Sequence, residues 1–425
     1  MRILIVAQYF FTPEQAGSAR LHELGRRLVA DGHEVTLVTG MVDNSVRTVP
    51  ESYRGRLRVR EEVGGMRVLR VWAYPHFRQS NRGRLLHYAT FDATALLALL
   101  EGRGYDLVLA TSPPLTTGVS GWLLSRYYRA PLVFEVRDLW PQAAVRLGAL
   151  RGRRAIAAAE GLERFLYRHA ARLLAVTPGL GRYLVEEAGV ATDRVDVVTN
   201  GFDPAAFRDL PDPIAARRAL GIEARFLVVQ AGSIGPSDHL EVLVDAAARL
   251  RERRDVSFLI VGDGDGRTAL VERVRALGLR NVAFKDPVPR RQVREIYAAA
   301  DALVCHVPAF YTPVALPNRF LDYLGTGRPI VCTGPGDMSD ALARCGGGVA
   351  VPPDDPDALA AAIQRLASEA PGAGPSPARL ATVEGMFGWD AVYDRYQAAL
   401  RRAVGERAAV AVHAASKPGR MGAQR

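Results

Sequence analysis

Short apolar runs of Val, Ile, Leu and Ala alternate along this chain with amphipathic segments of helical period, and after one interruption the alternation begins again. The first series of runs falls at 2–7, 34–38, 68–71, 107–110, 132–136, 173–176 and 195–198, with helical patterns such as 19–31 and 161–169 between them. A strand that is apolar at every position has to be covered on both faces, which is the situation of a parallel sheet wrapped by crossover helices. The second series follows at 226–230, 258–261, 282–284, 302–305, 330–332 and 348–351. Between the two lie Asn200-Gly201-Phe202-Asp203-Pro204 and Asp209-Leu210-Pro211-Asp212-Pro213, which carry turn and linker chemistry. The expected fold class is therefore α/β, with two Rossmann-like doubly wound parallel-sheet domains, 1–203 and 204–385, facing across a cleft. A C-terminal helix at 386–402 is expected to pack back towards the first domain, and the small, polar and basic stretch 403–425 to be disordered. Residues 368–378, rich in Pro and Gly, read as a loop.

At 425 residues the chain is too long for one small core, and two domains of about 200 residues each are the natural division. No apolar run reaches the roughly 20 uncharged residues of a spanning helix. The nearest, residues 85–100, is interrupted by His87 and Asp92. Met1-Arg2 leads straight into Ile3-Leu4-Ile5-Val6, a core strand rather than an export signal. The three cysteines, Cys305, Cys332 and Cys345, have no metal spacing and leave an odd thiol, which fits a reducing cytoplasm. The net charge of +10 comes mostly from scattered Arg, without a basic block interleaved with aromatics, so nucleic acid is not an expected partner. Anionic lipid and a phosphorylated substrate both remain compatible with it.

In open α/β sheets, ligands collect beyond the carboxyl ends of the strands, and four segments there stand out. Pro317-Asn318-Arg319-Phe320-Leu321-Asp322 reads as a short helix with an Asn cap, and Arg319 and Asp322, three apart, share one face. A positive helix end, a guanidinium and a carboxylate suit a ligand with phosphate and sugar hydroxyls, although a capped surface helix with an Arg–Asp pair fits the same residues. Gly17, after the first strand, permits close backbone approach, and Ser18 can cap the next helix; a plain strand–helix turn is the alternative. In Glu135-Val136-Arg137-Asp138, Glu135 and Arg137 fall on one face, where they either meet a cleft or form a structural ion pair. Gly262-Asp263-Gly264-Asp265-Gly266 lacks the third glycine of a dinucleotide fingerprint, which argues against a nicotinamide or flavin enzyme. The eight histidines form no H-E-x-x-H or other ligand cluster, so no metal site is expected, and no G-x-S-x-G elbow occurs.

Several segments, in this order, resemble family 4 glycosyltransferases of the GT-B fold, closest to the O-antigen and capsule branch that includes fucosamine transferases. They are residues 3–11 with 17–21, Gly32-His33-Glu34-Val35, Tyr53-Arg54-Gly55, Gly65-Met66-Arg67-Val68, Ala110-Thr111-Ser112-Pro113-Pro114-Leu115 and 135–141. Asn200-Gly201-Phe202-Asp203, Val261-Gly262-Asp263-Gly264 and the helix at 317–329 complete the set, which spans roughly residues 1–400.

The resemblance implies a nucleotide sugar, usually UDP-linked, held mainly by the second domain, with no further cofactor. Asp322 stands where the family has a Glu on the ribose, one methylene longer, and Arg319 replaces a Lys as the diphosphate contact. The loop at 284–288, with Asp286 and Val288, corresponds to the base-binding loop, and Gly17 to the loop that closes over diphosphate or sugar. Arg137, where a His is common, and Asp138 would orient the sugar or the acceptor hydroxyl. Three departures accompany this set: Val314 stands for an upstream Glu, and Ser233 and Asp238 for an Arg and a Lys. The implied reaction is retaining transfer of a sugar, N-acetylated hexosamines included, to a polyprenyl-linked or small-molecule acceptor, in the cytoplasm or peripherally on the inner membrane face. A UDP-sugar 2-epimerase and a non-catalytic partner protein of another transferase are the alternative readings.

Overall fold

The computed structural model describes residues 1–15, 19–42, 48–77, 80–369 and 377–415. Strands β1 (Arg2–Val6), β2 (Glu34–Gly40), β3 (Arg58–Val63), β4 (Met66–Val71), β5 (Leu107–Thr111), β6 (Leu132–Val136), β7 (Arg172–Ala175) and β8 (Val195–Val197) form one sheet. Its order is β3-β4-β2-β1-β5-β6-β7-β8, parallel apart from the β3–β4 hairpin at the edge. Strands β9 (Phe226–Ala231), β10 (Val256–Val261), β11 (Val282–Lys285), β12 (Ala302–Cys305), β13 (Ile330–Thr333) and β14 (Gly348–Val351) form the second sheet. Its order, β11-β10-β9-β12-β13-β14, is parallel throughout.

Both sheets are covered on two faces, and strand alternation divides each apolar run between two cores. In β1, Leu4 and Val6 pack with Phe91, Leu124 and Leu166 on one side, while Ile3 and Ile5 pack with Leu24, Leu28 and Tyr396 on the other. Strand β3 was not expected from the sequence. Its Arg-Val-Arg-Glu-Glu-Val pattern keeps charges on an exposed edge, and such a strand has no apolar run to announce it.

The C-terminal helix, Trp389–Ala415, lies across the first sheet through Val392, Tyr396, Ala399, Leu400 and Ala403. The disordered tail expected from 403 is corrected for 403–415. Ala403 is buried on the same helical face as Ala399, and Glu406 pairs with Arg172 of the first domain, so packing carries the helix onward. Helix Pro377–Phe387 likewise occupies part of the stretch read as a loop.

The segment at 85–100 forms the helix Asn81–Ala95 and a following tight turn, Leu96–Glu101. Among the described residues no helix is long and apolar enough to cross a membrane. Asp92, on this helix, accepts from Ser120 Oγ at 2.8 Å, and burial raises its carboxyl pKa to about 6. The folded chain thus holds this proton more tightly than the unfolded chain. Its contribution is fully present below about pH 4 and is lost as pH rises through 6, on the order of 3 kcal/mol by neutrality. Asp92→Asn is expected to raise the melting temperature near pH 7 and to flatten its fall above about pH 4. An unchanged melting temperature near pH 7 would contradict this.

Candidate active site

A cavity of about 700 Å³ opens between the domains, at the carboxyl ends of the second-domain strands. Gly232 and Ser233 after β9, Gly262 and Asp263 after β10, and Val288 after β11 form one wall, with Asn318, Arg319 and Asp322 of the helix Asn318–Thr326. Arg20, His22 and Glu23, from the first turn of the helix Arg20–Ala30, face them from the first domain.

The glycines after β10 have a packing reason. Gly262 has φ +142°, and a Cβ there would lie 1.8 Å from the Gly232 carbonyl oxygen. A Cβ at Gly264 would lie 2.2 Å from the carbonyl oxygen of Ile234. The Gly-Asp-Gly motif therefore lets the two strand ends approach, and no dinucleotide fingerprint is needed to explain it.

Arg319 is nearly buried, and its Nη1 lies 2.8 Å from Oδ1 of Asp238. Nη2 donates to the His306 carbonyl at 3.3 Å, and Nε has no hydrogen-bond partner. Burial opposes the charge, but the Asp238 carboxylate outweighs it, so the pKa of Arg319 is raised and the guanidinium stays protonated. Asp238, 3% exposed, also accepts from Ser233 Oγ at 2.8 Å and from the Gly235 N–H at 3.2 Å. A loop hydroxyl, a loop amide and a guanidinium form a donor set of the kind that binds phosphate, and here a carboxylate of the chain itself takes it.

Asp322 meets a different cation from the one on its own helix. Arg290 Nη2 donates to Oδ1 at 2.6 Å and Nη1 donates to Oδ2, a fork-on-fork pair. The nearby Asp322 carboxylate pushes the Arg290 pKa above its ordinary value. The Asp322 side chain is 2% exposed and that of Arg290 34%, so Arg290 is the member of the pair that faces the cavity.

Two expectations for this wall are corrected. Asn318 is the first residue of its helix rather than the cap; Pro317 precedes it in extended conformation, and no side chain caps the turn. Asp286 does not line the cavity: its side chain, 80% exposed, is turned outward by Arg267 at 2.7 Å, whereas Val288 does line it. Gly17 and Ser18 lie outside the described residues.

Arg137 and Asp138 do not line this cavity; they sit at the seam between the domains. The Arg137 amide donates to Ser112 Oγ at 3.1 Å, and burial, then Arg20, lowers the pKa of its guanidinium. Asp138 accepts from the hydroxyl of Tyr311, in the second domain, and burial raises its carboxyl pKa. Glu135, fully buried, pairs with Arg20 rather than with Arg137, at 2.6 Å. Val314 belongs to the apolar core of the first domain, packed in the same cluster as Leu180.

Residues 16–201 match the glycosyl transferase 4-like domain, and 225–369 match the glycosyl transferases group 1 domain. A D-inositol 3-phosphate glycosyltransferase of Thermomonospora curvata is 30% identical over 392 residues, 88% of this chain and 87% of its own. The chain belongs to the family 4/group 1 glycosyltransferases. The glycosyltransferase is also similar to the Escherichia coli protein WcaI, 26% identical over 382 residues, covering 86% of this chain and 92% of WcaI. Among solved structures, sucrose-phosphate synthase of Thermosynechococcus elongatus has a TM-score of 0.72 at 19% identity, covering 94% of this chain and 98% of its own. HepE of Anabaena, in complex with UDP-glucose, has a TM-score of 0.69 at 20% identity, covering 95% and 100%. At those identities the likeness concerns the fold, which is GT-B.

Arg290, Arg20 and Tyr311 were not singled out from the sequence. Each takes its place from a contact between distant segments, and neither spacing nor composition marks it. The Pro289-Arg290-Arg291 stretch after β11 was the nearest available signal.

Proposed function

We propose that this glycosyltransferase moves a hexosyl group, N-acetylated hexosamines included, from a UDP-sugar to a polyprenyl-linked or small-molecule acceptor with retention of configuration. The O-antigen and capsule branch that the sequence resembles often extends polyprenyl-diphosphate-linked sugars at the inner membrane face, which supports the first of these acceptors. The observation that carries the reading is the convergence of the Gly232 loop, Arg319 and the Arg290–Asp322 pair on one cavity between two doubly wound domains. That HepE has been solved with UDP-glucose and with UDP and glucose supports the choice of nucleotide.

In this reading Arg319 and the start of the helix Asn318–Thr326 stabilise the departing diphosphate, the largest charge that develops. The Arg290–Asp322 pair meets the ribose, and Val288 lies along the base. Arg137 and Asp138 orient the oxocarbenium-like sugar or the acceptor hydroxyl once the domains close. A lipid-linked acceptor at the inner membrane face draws support from the helix Asn81–Ala95. Its Leu85 and Leu86 stand 65% and 46% exposed beside the exposed Arg82, a pairing that favours an anionic lipid surface.

The test is thermal stabilisation across a panel of nucleotides and nucleotide sugars, followed by measurement of UDP release. UDP and one UDP-sugar are expected to stabilise, and UDP release is expected to depend on acceptor. UDP release without acceptor, together with a rearranged sugar, would identify a 2-epimerase, and no response to any nucleotide would favour a non-catalytic partner. Arg319→Ala is expected to weaken UDP binding about tenfold or more, since a hydrogen bond to a charged group contributes about 1.5–3 kcal/mol. Unchanged affinity in a calorimetric titration would remove Arg319 from the diphosphate site.

A further inference from the structure

The segment between β12 and the helix Asn318–Thr326 reaches across the cleft at several points. Tyr311 packs its ring against the core of the second domain and extends its hydroxyl to donate to Asp138 of the first. Three residues on, Val314 is buried in the core of the first domain, and its carbonyl accepts from Thr177 Oγ1 at 3.0 Å. Asp337 extends the seam, accepting from the Gly179 N–H at 2.7 Å and pairing with Arg182 at 3.3 Å. A Cβ at Gly179 would lie 2.3 Å from the Pro313 carbonyl oxygen, so the two domains meet here backbone to backbone.

This segment runs directly into the helix that carries Arg319 and Asp322. A change at the donor helix therefore reaches Asp138 through a short, packed path anchored in both domains. On the first-domain side, the Asp138 loop is held by the Trp140 N–H, which donates to the Asp138 carbonyl at 2.9 Å, and by the packing of Leu139 and Trp140. The carboxylate itself is oriented from across the cleft.

We propose that Tyr311 is a positioning residue for sugar transfer: its hydroxyl, delivered by the segment that leads into the donor helix, sets the direction of the Asp138 carboxylate when the domains are together. The proposal rests on the reading of Asp138 as the group that orients sugar or acceptor. It also gives a place to Val314, whose apolar side chain fixes this segment in the core of the first domain. The charged and titratable groups acting on Asp138 are Arg137 and Tyr311. Burial raises the Asp138 carboxyl, and the Tyr311 hydrogen bond and then Arg137 pull it back down. Loss of the hydroxyl therefore raises that carboxyl further.

The experiment compares the wild-type chain with Tyr311→Phe, Asp138→Ala and the double variant, using UDP-glucose together with a polyprenyl-linked sugar acceptor as the probes. Tyr311→Phe is expected to lower kcat for UDP release about tenfold, to leave KM within about twofold, and to move the acid limb of the pH profile upward. A kcat and an acid limb that both stay in place would overturn the proposal, as would a loss of activity matched by a loss of folded protein. A second readout needs no turnover: hydrogen exchange of the full chain at 138–146 and 309–316. Each single variant should speed exchange in both segments, and the double variant no further, because both remove the same bond. Additive effects would also overturn the proposal. A wild-type chain that binds UDP but releases none from UDP-glucose even with the acceptor present counts against the transfer reading for that donor and acceptor, and the exchange data then decide the role of Tyr311.

Discussion

Replacing Asp238 with asparagine is expected to tighten UDP binding by about tenfold or more while lowering the stability of the free protein. Asp238 occupies Arg319, Ser233 and the Gly235 amide, the donors that a diphosphate arriving after β9 would use. A bound diphosphate has to share or displace that carboxylate, and two anions on one guanidinium repel each other. Asparagine keeps an oxygen for Ser233 and Gly235 but removes the charge, so the guanidinium is released to the ligand. The free protein then holds a nearly buried cation without its partner, which typically costs about 3–5 kcal/mol. The UDP complex recovers part of this, and a charged hydrogen bond of about 1.5–3 kcal/mol corresponds to tenfold or more in Kd. Calorimetric titration with UDP and a melting curve with and without UDP check both halves. Weaker UDP binding by a folded Asp238→Asn protein would mean that Asp238 organises the loop for the diphosphate rather than competing with it.

Glu135→Ala is expected to destabilise the protein by about 3–5 kcal/mol, because it strips the partner from a buried cation. Glu135 accepts from Arg20 at 2.6 Å, from Thr111 Oγ1 at 2.6 Å, and from the Tyr396 hydroxyl. Arg20 is 4% exposed and also donates to Tyr396 at 2.6 Å, so the cluster ties the first helix, β5, β6 and the C-terminal helix together. Burial disfavours the Glu135 carboxylate, but Arg20 and Arg137 outweigh it and lower its pKa, and the charge persists inside the core. Without it, Arg20 and Arg137 repel each other across an apolar interior. The expected readout is a lower melting temperature together with early proteolysis at the C-terminal helix, since Tyr396 loses its anchor. A loss under about 1 kcal/mol would show that Arg20 swings into the neighbouring cavity and finds water there.

The architecture was legible because apolar runs leave little choice. A run such as Ile3-Leu4-Ile5-Val6 must be buried on both faces, and two series of such runs imply two covered sheets. Strand β3 escaped for the converse reason: an edge strand with alternating charge is stable only because β4 lies beside it. The end of the last helix escaped in a similar way, as Ala403 and Glu406 extend it through contacts with the first domain.

The candidate site was legible in its residue types and much less so in its pairings. Arg319 and Asp322 share a helix face and line the same cavity, yet neither takes the other as partner. The sequence by itself determined two doubly wound domains, a cleft at their strand ends, and a cation and a carboxylate on the helix that lines it. Only the tertiary structure decided that Asp238 holds Arg319, that Arg290 covers Asp322, that Arg20 takes Glu135 from 115 positions away, and that Tyr311 reaches Asp138 across the cleft. Hydrophobic periodicity is a local property that survives in any environment, whereas the partner of a buried charge is whichever opposite group the completed fold brings within about 3 Å of it.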